Sequence, residues 1–165
     1  MPTRREWLRC GAGAGAAVVL AGCGFRLRQA PDFSFKTIAL AMPAGSSLTV
    51  ALRRQLEGTG KVTVVADPAK ADVVLESPGE VRERVVVSQT ATGEVRELQL
   101  RMRLSFRLRT PDGRELLPNA EILRQIDQSY AESAALSKEQ ETLMLYQNMQ
   151  SDIVQQLMRR LATVK

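Results

Sequence analysis

The chain contains no histidine. That removes Ser-His-Asp and Cys-His catalysis, imidazole metal ligation and the usual proton shuttle at neutral pH, so catalysis would fall to carboxylates or a thiol. Glu80 with Glu83 and Glu139 with Glu141 offer paired carboxylates, the residue types by which an envelope glycosidase works. Aromatic residues make up only 4%, too few to stack readily on sugars, and no cleft is evident in the pattern. No catalytic residue, metal site or cofactor is expected, and the chain is read as not being an enzyme. Two other groups can do chemistry: the thiol of Cys23 and a row of arginines at 101, 103, 107 and 109.

Cys23 ends a segment of recognisable order. Arg4, Arg5 and Arg9 precede a weakly apolar run from Gly11 to Leu20, too short for the roughly 20 residues of a membrane span and shaped like a secretory signal. Leu20-Ala21-Gly22-Cys23 then resembles a lipobox, in which small residues fit a signal peptidase and the thiol receives diacylglycerol. Residues 1–22 are expected to be removed, leaving 23–165 as a single α/β domain with a lipidated N-terminus. Cys10 leaves with the signal, so no disulfide forms within the mature chain. At about 0.8 kcal/mol per buried methylene, palmitate-length acyl chains hold such a protein on a membrane almost irreversibly. Gly24 stands where lipoproteins retained at the inner membrane carry Asp, so resemblance to other lipoproteins points to the outer membrane. The stretch Thr3-Arg4-Arg5-Glu6-Trp7-Leu8-Arg9 also resembles a twin-arginine export motif; the general secretory route is an equal alternative with the same destination. Removing the signal lowers the formal net charge of +5 by two, a mild excess that argues against a nucleic-acid partner.

The positive charge is concentrated. Residues 98–109 alternate with period two, placing Leu98, Leu100, Met102, Leu104, Phe106 and Leu108 on a core face and Arg101, Arg103, Arg107 and Arg109 on the other. The arginines extend over about 27 Å at roughly 3.4 Å per residue. Residues 81–89 read as the partner strand, with a turn at 90–94 containing Gly93. Two registers are open. If Ala91 opposes Glu94, Arg84 lies across from Arg101 and Arg82 from Arg103, while Val81, Val85 and Val87 join the core; this gives the better hydrophobic face. If Thr90 opposes Glu94, Glu83 lies across from Arg101 and the patch is partly neutralised. The row therefore reads either as a site for a phosphate-bearing or acidic partner, or as a solvated face whose charges are met by carboxylates of a neighbouring strand.

The elements that must position these residues follow from the punctuation. A strand over 35–42 is broken by Pro43-Ala44-Gly45, and Ser46 or Ser47 caps a helix with Leu48, Leu52 and Leu56 on one stripe, stopped by Gly58 and Gly60. A short strand over 62–66 ends at Asp67-Pro68, and another over 72–76 is interrupted at Pro78-Gly79 by a bulge. After Pro111-Asp112-Gly113, residues 121–130 read as a strand, although Ile122, Leu123, Ile126 and Tyr130 would also suit a helix. Ser137 with Gln140 forms a capping box for a last helix to about 162, with Leu143, Tyr146, Met149, Ile153, Leu157 and Leu161 on its stripe and Met144, Met149 and Met158 as core or sheet contacts. The fold class is α+β, with two helices packed on one face of a four- to five-stranded mixed β-sheet.

Taken in order, these pieces resemble the LPS-assembly lipoproteins of the LptE family. The resemblance rests on Cys23-Gly24-Phe25-Arg26-Leu27-Arg28, the strand ending at Asp67-Pro68, Ala71-Asp72, the long polar-tipped hairpin, Glu97-Leu98-Gln99-Leu100, Lys138-Glu139-Gln140-Glu141 and the ending Gln155-Gln156-Leu157-Met158-Arg159-Arg160-Leu161. It implies a non-enzymatic outer-membrane lipoprotein, facing the periplasm or inside the barrel lumen, that plugs and helps assemble the LptD barrel and contacts lipopolysaccharide in transit. It further implies that basic residues near the hairpin tip and at the start of the last helix meet lipopolysaccharide. Lys138 matches the second position; the tip here is Ala91-Thr92-Gly93, and the nearest arginines are Arg84 and Arg96. Lys138, Arg96, Arg101 and Arg103 are thus the expected lipopolysaccharide contacts, competing with divalent cations for lipid A phosphates. The alternative is an accessory lipoprotein of another envelope transport system that binds phospholipid.

Overall fold

The computed structural model describes residues 31–164. The signal segment 1–22, the lipidation at Cys23 and the start at 23–28 lie outside the described residues. The elements are β1 (Thr37–Ala41), α1 (Ser47–Glu57), β2 (Thr63–Val65), β3 (Val73–Glu76), β4 (Glu80–Gln89), β5 (Val95–Arg109), β6 (Glu115–Ser129) and α2 (Ala135–Ala162), with short 3-10 turns at Pro68–Lys70 and Glu132–Ala134.

Ser46 is the cap of α1. Its backbone is extended and its Oγ accepts from the amides of Leu48 at 3.2 Å and Thr49 at 3.4 Å, satisfying donors that a helix start leaves open. One helical face then buries Leu48, Leu52 and Leu56 completely. Asp67 closes the β2 side by accepting from the Ala69 amide at 3.0 Å, with Pro68 as the first residue of the turn. Asp72 fastens β1 to the start of β3: its carboxylate accepts from the amides of Lys36 and Thr37, each at 2.8 Å, while its own amide donates to Thr37 Oγ1 at 2.8 Å. These donated hydrogen bonds hold the Asp72 carboxyl below the usual carboxylate range.

The mixed sheet has the order β2-β1-β3-β5-β4, with β6 on the other edge of β5. β1 is parallel to β2 and β3, and β5 is antiparallel to β3, β4 and β6. β3 and β4 occupy one edge of β5 in succession, with Glu76 opposite Arg107 and Glu80 opposite Leu104. The kink between them is the expected interruption at Pro78-Gly79, where Gly79 has φ 109°. Counting the kinked edge as two strands gives six. Both helices cover one face, where Leu100, Met102, Leu104, Phe106 and Leu108 of β5 meet Leu48, Leu52 and Leu56 of α1 and Met149, Ile153, Leu157 and Leu161 of α2. Burying each such aliphatic side chain contributes about 1.5–3 kcal/mol.

Four local expectations are corrected. The hairpin takes the register in which Glu83 faces Arg101, so Arg82 and Arg84 point to the helix side and Val81 lies outside, 50% exposed. β4 is an edge strand on which Val81, Val86 and Val87 stay 44–50% exposed, so burial does not fix the register and the turn and the charged pairs do. The Thr90 amide donates to the Glu94 carbonyl at 2.8 Å, and Arg84 reaches Glu139 with two hydrogen bonds of 3.0 and 2.8 Å. Second, Ser137 is no cap: the turn at Glu132–Ala134 starts the helix early, and Ser137 Oγ donates to the Ala134 carbonyl at 2.8 Å. Third, Leu143 and Met144 are 54% and 62% exposed; Thr142 takes the inward position, bonded to Gln128 Oε1 at 2.8 Å. Last, β6 begins at Glu115, six residues before the expected start, because Pro118 sits on an unpaired edge beside a bulge, where a missing N–H costs no ladder bond.

Candidate functional site

The arginine row lies on the sheet face opposite the helices. Register puts Glu83, Arg101 and Gln125 in one line across β4, β5 and β6, and Val81, Arg103 and Leu123 in the next. Arg103 Nη2 donates to both Glu83 oxygens at 3.1 and 3.2 Å, and its Nε is 3.9 Å from Glu121. Farther along, Glu76 accepts from Arg107 Nε at 2.5 Å and Arg109 Nε at 2.7 Å. Hydrogen bonds from Arg109 and Arg107 hold the Glu76 carboxyl below the usual range, against a smaller opposing effect of burial. Arg101 differs. Its Nε donates to Gln99 Oε1 at 2.7 Å, Gln99 in turn donates to Asp127 at 2.8 Å, and Arg101 alone of the four makes no ion pair among the described residues.

Arg96 and Lys138 sit at the hairpin end. Arg96 lies opposite the irregular stretch Ser88–Gln89 of β4, makes no ion pair among the described residues, and lines a cavity of about 680 Å³ with Tyr130, Glu94 and Glu132. Lys138, in the first turns of α2, donates to Ser129 Oγ at 3.1 Å and Glu141 at 2.8 Å, and its hydrogen bond holds the Glu141 carboxyl low. Ser129 stands four residues along β6 from Gln125, the neighbour of Arg101, which is about 13 Å. The expected contacts therefore fall into two groups: Arg101 and Arg103 in mid-sheet, and Arg96 and Lys138 at its end.

The carboxylate pairs form no acid-base site. Glu80 and Glu83 lie on opposite sides of β4, Glu80 accepting from Ser46 Oγ at 2.7 Å and Glu83 held by Arg103. Glu139 and Glu141 are held low by Arg84 and Lys138, the reverse of what a general acid needs.

Comparison with known proteins bears on this arrangement. The family described as LptE: Lipopolysaccharide-assembly matches residues 35–161, from the first strand to the end of the last helix. The chain belongs to the LptE family. It is 33% identical over 155 residues to the LPS-assembly lipoprotein LptE of Yersinia enterocolitica, covering 90% of this chain and 72% of that protein. The LptE of Yersinia pestis is 31% identical over 154 residues with the same coverage. Among solved structures, an uncharacterized lipoprotein B from Nitrosomonas europaea superposes with a TM-score of 0.72 at 30% identity, covering 84% of this chain and 90% of that one. The rare lipoprotein B of Shewanella oneidensis shares the fold, with a TM-score of 0.67 at 23% identity. LptE is a non-enzymatic family, in keeping with the engaged carboxylates.

Within this LptE-family fold a further basic group was not picked out from the sequence. Arg124 lies on the helix-facing side of β6 and lines a cavity of about 390 Å³ together with Gln156, Arg159, Arg160 and Thr163 at the end of α2. The signal was present: Arg124 has the same parity as Ile122 and Ile126. The other two arginines sit in the closing run that carries the family resemblance.

Proposed function

We propose that this chain is an outer-membrane lipoprotein, tethered through lipid on Cys23 after removal of residues 1–22, that seats in an LptD-type barrel, assists its assembly and takes part in lipopolysaccharide transport. The observation that carries the reading is the family match spanning β1 to α2, supported by relatives named LPS-assembly lipoprotein.

The geometry supports a division of labour. The far part of the row, where Glu76 holds both Arg107 and Arg109, is a neutralised surface suited to a protein wall. The contacts to lipopolysaccharide are Arg101, Arg96, Lys138 and Arg103. Arg101 and Arg96 lead, because neither is held in an ion pair among the described residues and a guanidinium chelates phosphate bidentately. Arg103 and Lys138 exchange Glu83 and Glu141 for a phosphate oxygen. In this way the protein competes with divalent cations on lipid A and loosens aggregated lipopolysaccharide.

The test is to extract the native lipoprotein in mild detergent and identify stoichiometric companions by mass spectrometry. A large LptD-type β-barrel is the expected companion. Recovery of the protein alone, or with inner-membrane transport components, overturns the barrel reading and puts phospholipid binding in its place.

A further inference from the structure

We infer that the cavity between β6 and the end of α2 is a phosphate-binding site built by Arg124, Arg159 and Arg160, separate from the arginines assigned above to lipopolysaccharide. Arg124, Arg159 and Arg160 line one cavity of about 390 Å³ with Gln156 and Thr163. None of the three makes an ion pair among the described residues, in contrast to Arg103, Arg107 and Arg109 across the sheet.

Two arginines in a last helical turn have an ordinary explanation, since cations favour the negative end of the helix dipole. That explanation does not reach Arg124, which belongs to a strand. Its Nε is buried and has no hydrogen-bond partner, and neither has the buried Oε1 of Gln156 in the same cavity. Buried donors are normally satisfied, so a buried donor without a partner, on a residue lining a cavity with two further arginines that make no ion pair among the described residues, is matched by an acceptor from outside the chain. Half a turn of the Gln156 amide presents its NH2 to the same acceptor. Arg160 is held in place with its guanidinium 5.7 Å from the centre of the Phe106 ring, a cation–π contact to a buried residue.

The chemistry selects phosphate over carboxylate. Three separated guanidiniums need an acceptor with several oxygens directed apart, and their charge is better matched by a phosphate dianion than by a single carboxylate. The cavity suits a phosphate group and not a whole lipid, so the ligand is either free phosphate or the headgroup of a lipid whose chains remain outside. The site stands independently of the barrel reading.

The experiment follows the arginine Nε–Hε resonances of the full lipidated chain in nonionic detergent. Inorganic phosphate is titrated in one arm and micelles doped with phosphatidic acid in the other, each against sodium chloride at matched ionic strength. Saturable shifts of the Arg124 and Arg160 signals are expected. A response to inorganic phosphate assigns a free-phosphate site; a response to phosphatidic acid alone assigns a headgroup site. Arg159→Gln, a change at an exposed position, weakens binding about tenfold through one lost charge-assisted contact, while Arg53→Gln, on the exposed side of α1, leaves it unchanged. Shifts no larger than those with chloride, or unaltered binding by both Arg159→Gln and Arg124→Lys, overturn the site.

Discussion

The row on β5 and the trio at the end of α2 are both arginine clusters, yet they stand in opposite electrostatic states. In the row, Glu76 holds Arg107 and Arg109, and Glu83 holds Arg103. In the trio, Arg124, Arg159 and Arg160 share a cavity with no carboxylate partner among the described residues. Local density of positive charge therefore says little about the capacity to hold an anion. What matters is whether the topology brings a carboxylate alongside, and here it does so for three of the row's four arginines and, among the described residues, for none of the trio.

The largest effect is expected from Phe106→Ala. This ring is buried in the core and lies beneath Arg160, so its removal costs about 3–5 kcal/mol of stability, measured by chemical denaturation, and loosens the trio without touching a side chain of the row. Next, Glu76→Gln turns part of the row into something like the trio. It leaves Arg107 and Arg109 without their carboxylate and lowers stability by about 1–2 kcal/mol. Phosphate binding should appear on that face, visible as shifts of the Arg107 and Arg109 Nε signals.

The same residue sets an acid response. Because the folded Glu76 carboxyl titrates below its unfolded value, its contribution is complete above the ordinary carboxylate range and is lost as pH falls through the depressed value. The Glu76→Gln variant should accordingly show a shallower loss of stability on acidification than the parent, whereas Arg159→Gln should follow the parent curve. The smallest effect belongs to Arg103→Gln. Its bridge to Glu83 is exposed on both sides, so the change should cost about 0.5 kcal/mol or less in the same denaturation assay.

The architecture was largely readable where one residue type determined the local outcome. Ser46, the Leu48, Leu52 and Leu56 stripe, Pro78-Gly79 and the period-two pattern of β5 each made their element legible. What escaped lay at edges. The valines of β4 suggested a core face, but an edge strand buries neither face fully, and the register followed Thr90, Glu94 and the Arg84–Glu139 pair. Glu115 to Ala120 was hidden by Pro118, which an interior strand would exclude and an edge tolerates. The Arg row was visible as an alternation, and neutralisation by a neighbouring strand was one of its two readings; that Glu76 does it was not legible, because it lies 31 and 33 positions from the arginines it meets. For the trio, Arg124 comes from one element and its companions from another, and only tertiary packing joins them.

On the proposed function, lipopolysaccharide is met first by Arg96 and Arg101, the two of its four expected contacts that make no ion pair among the described residues. This claim is tested most directly by measuring lipopolysaccharide binding by the detergent-extracted lipoprotein across a range of salt for two paired variants. Arg96→Gln with Arg101→Gln should weaken binding about tenfold and flatten its salt dependence, while Arg107→Gln with Arg109→Gln should stay within about twofold of the parent. Equal losses in the two variants, or no loss in the first, would contradict the account.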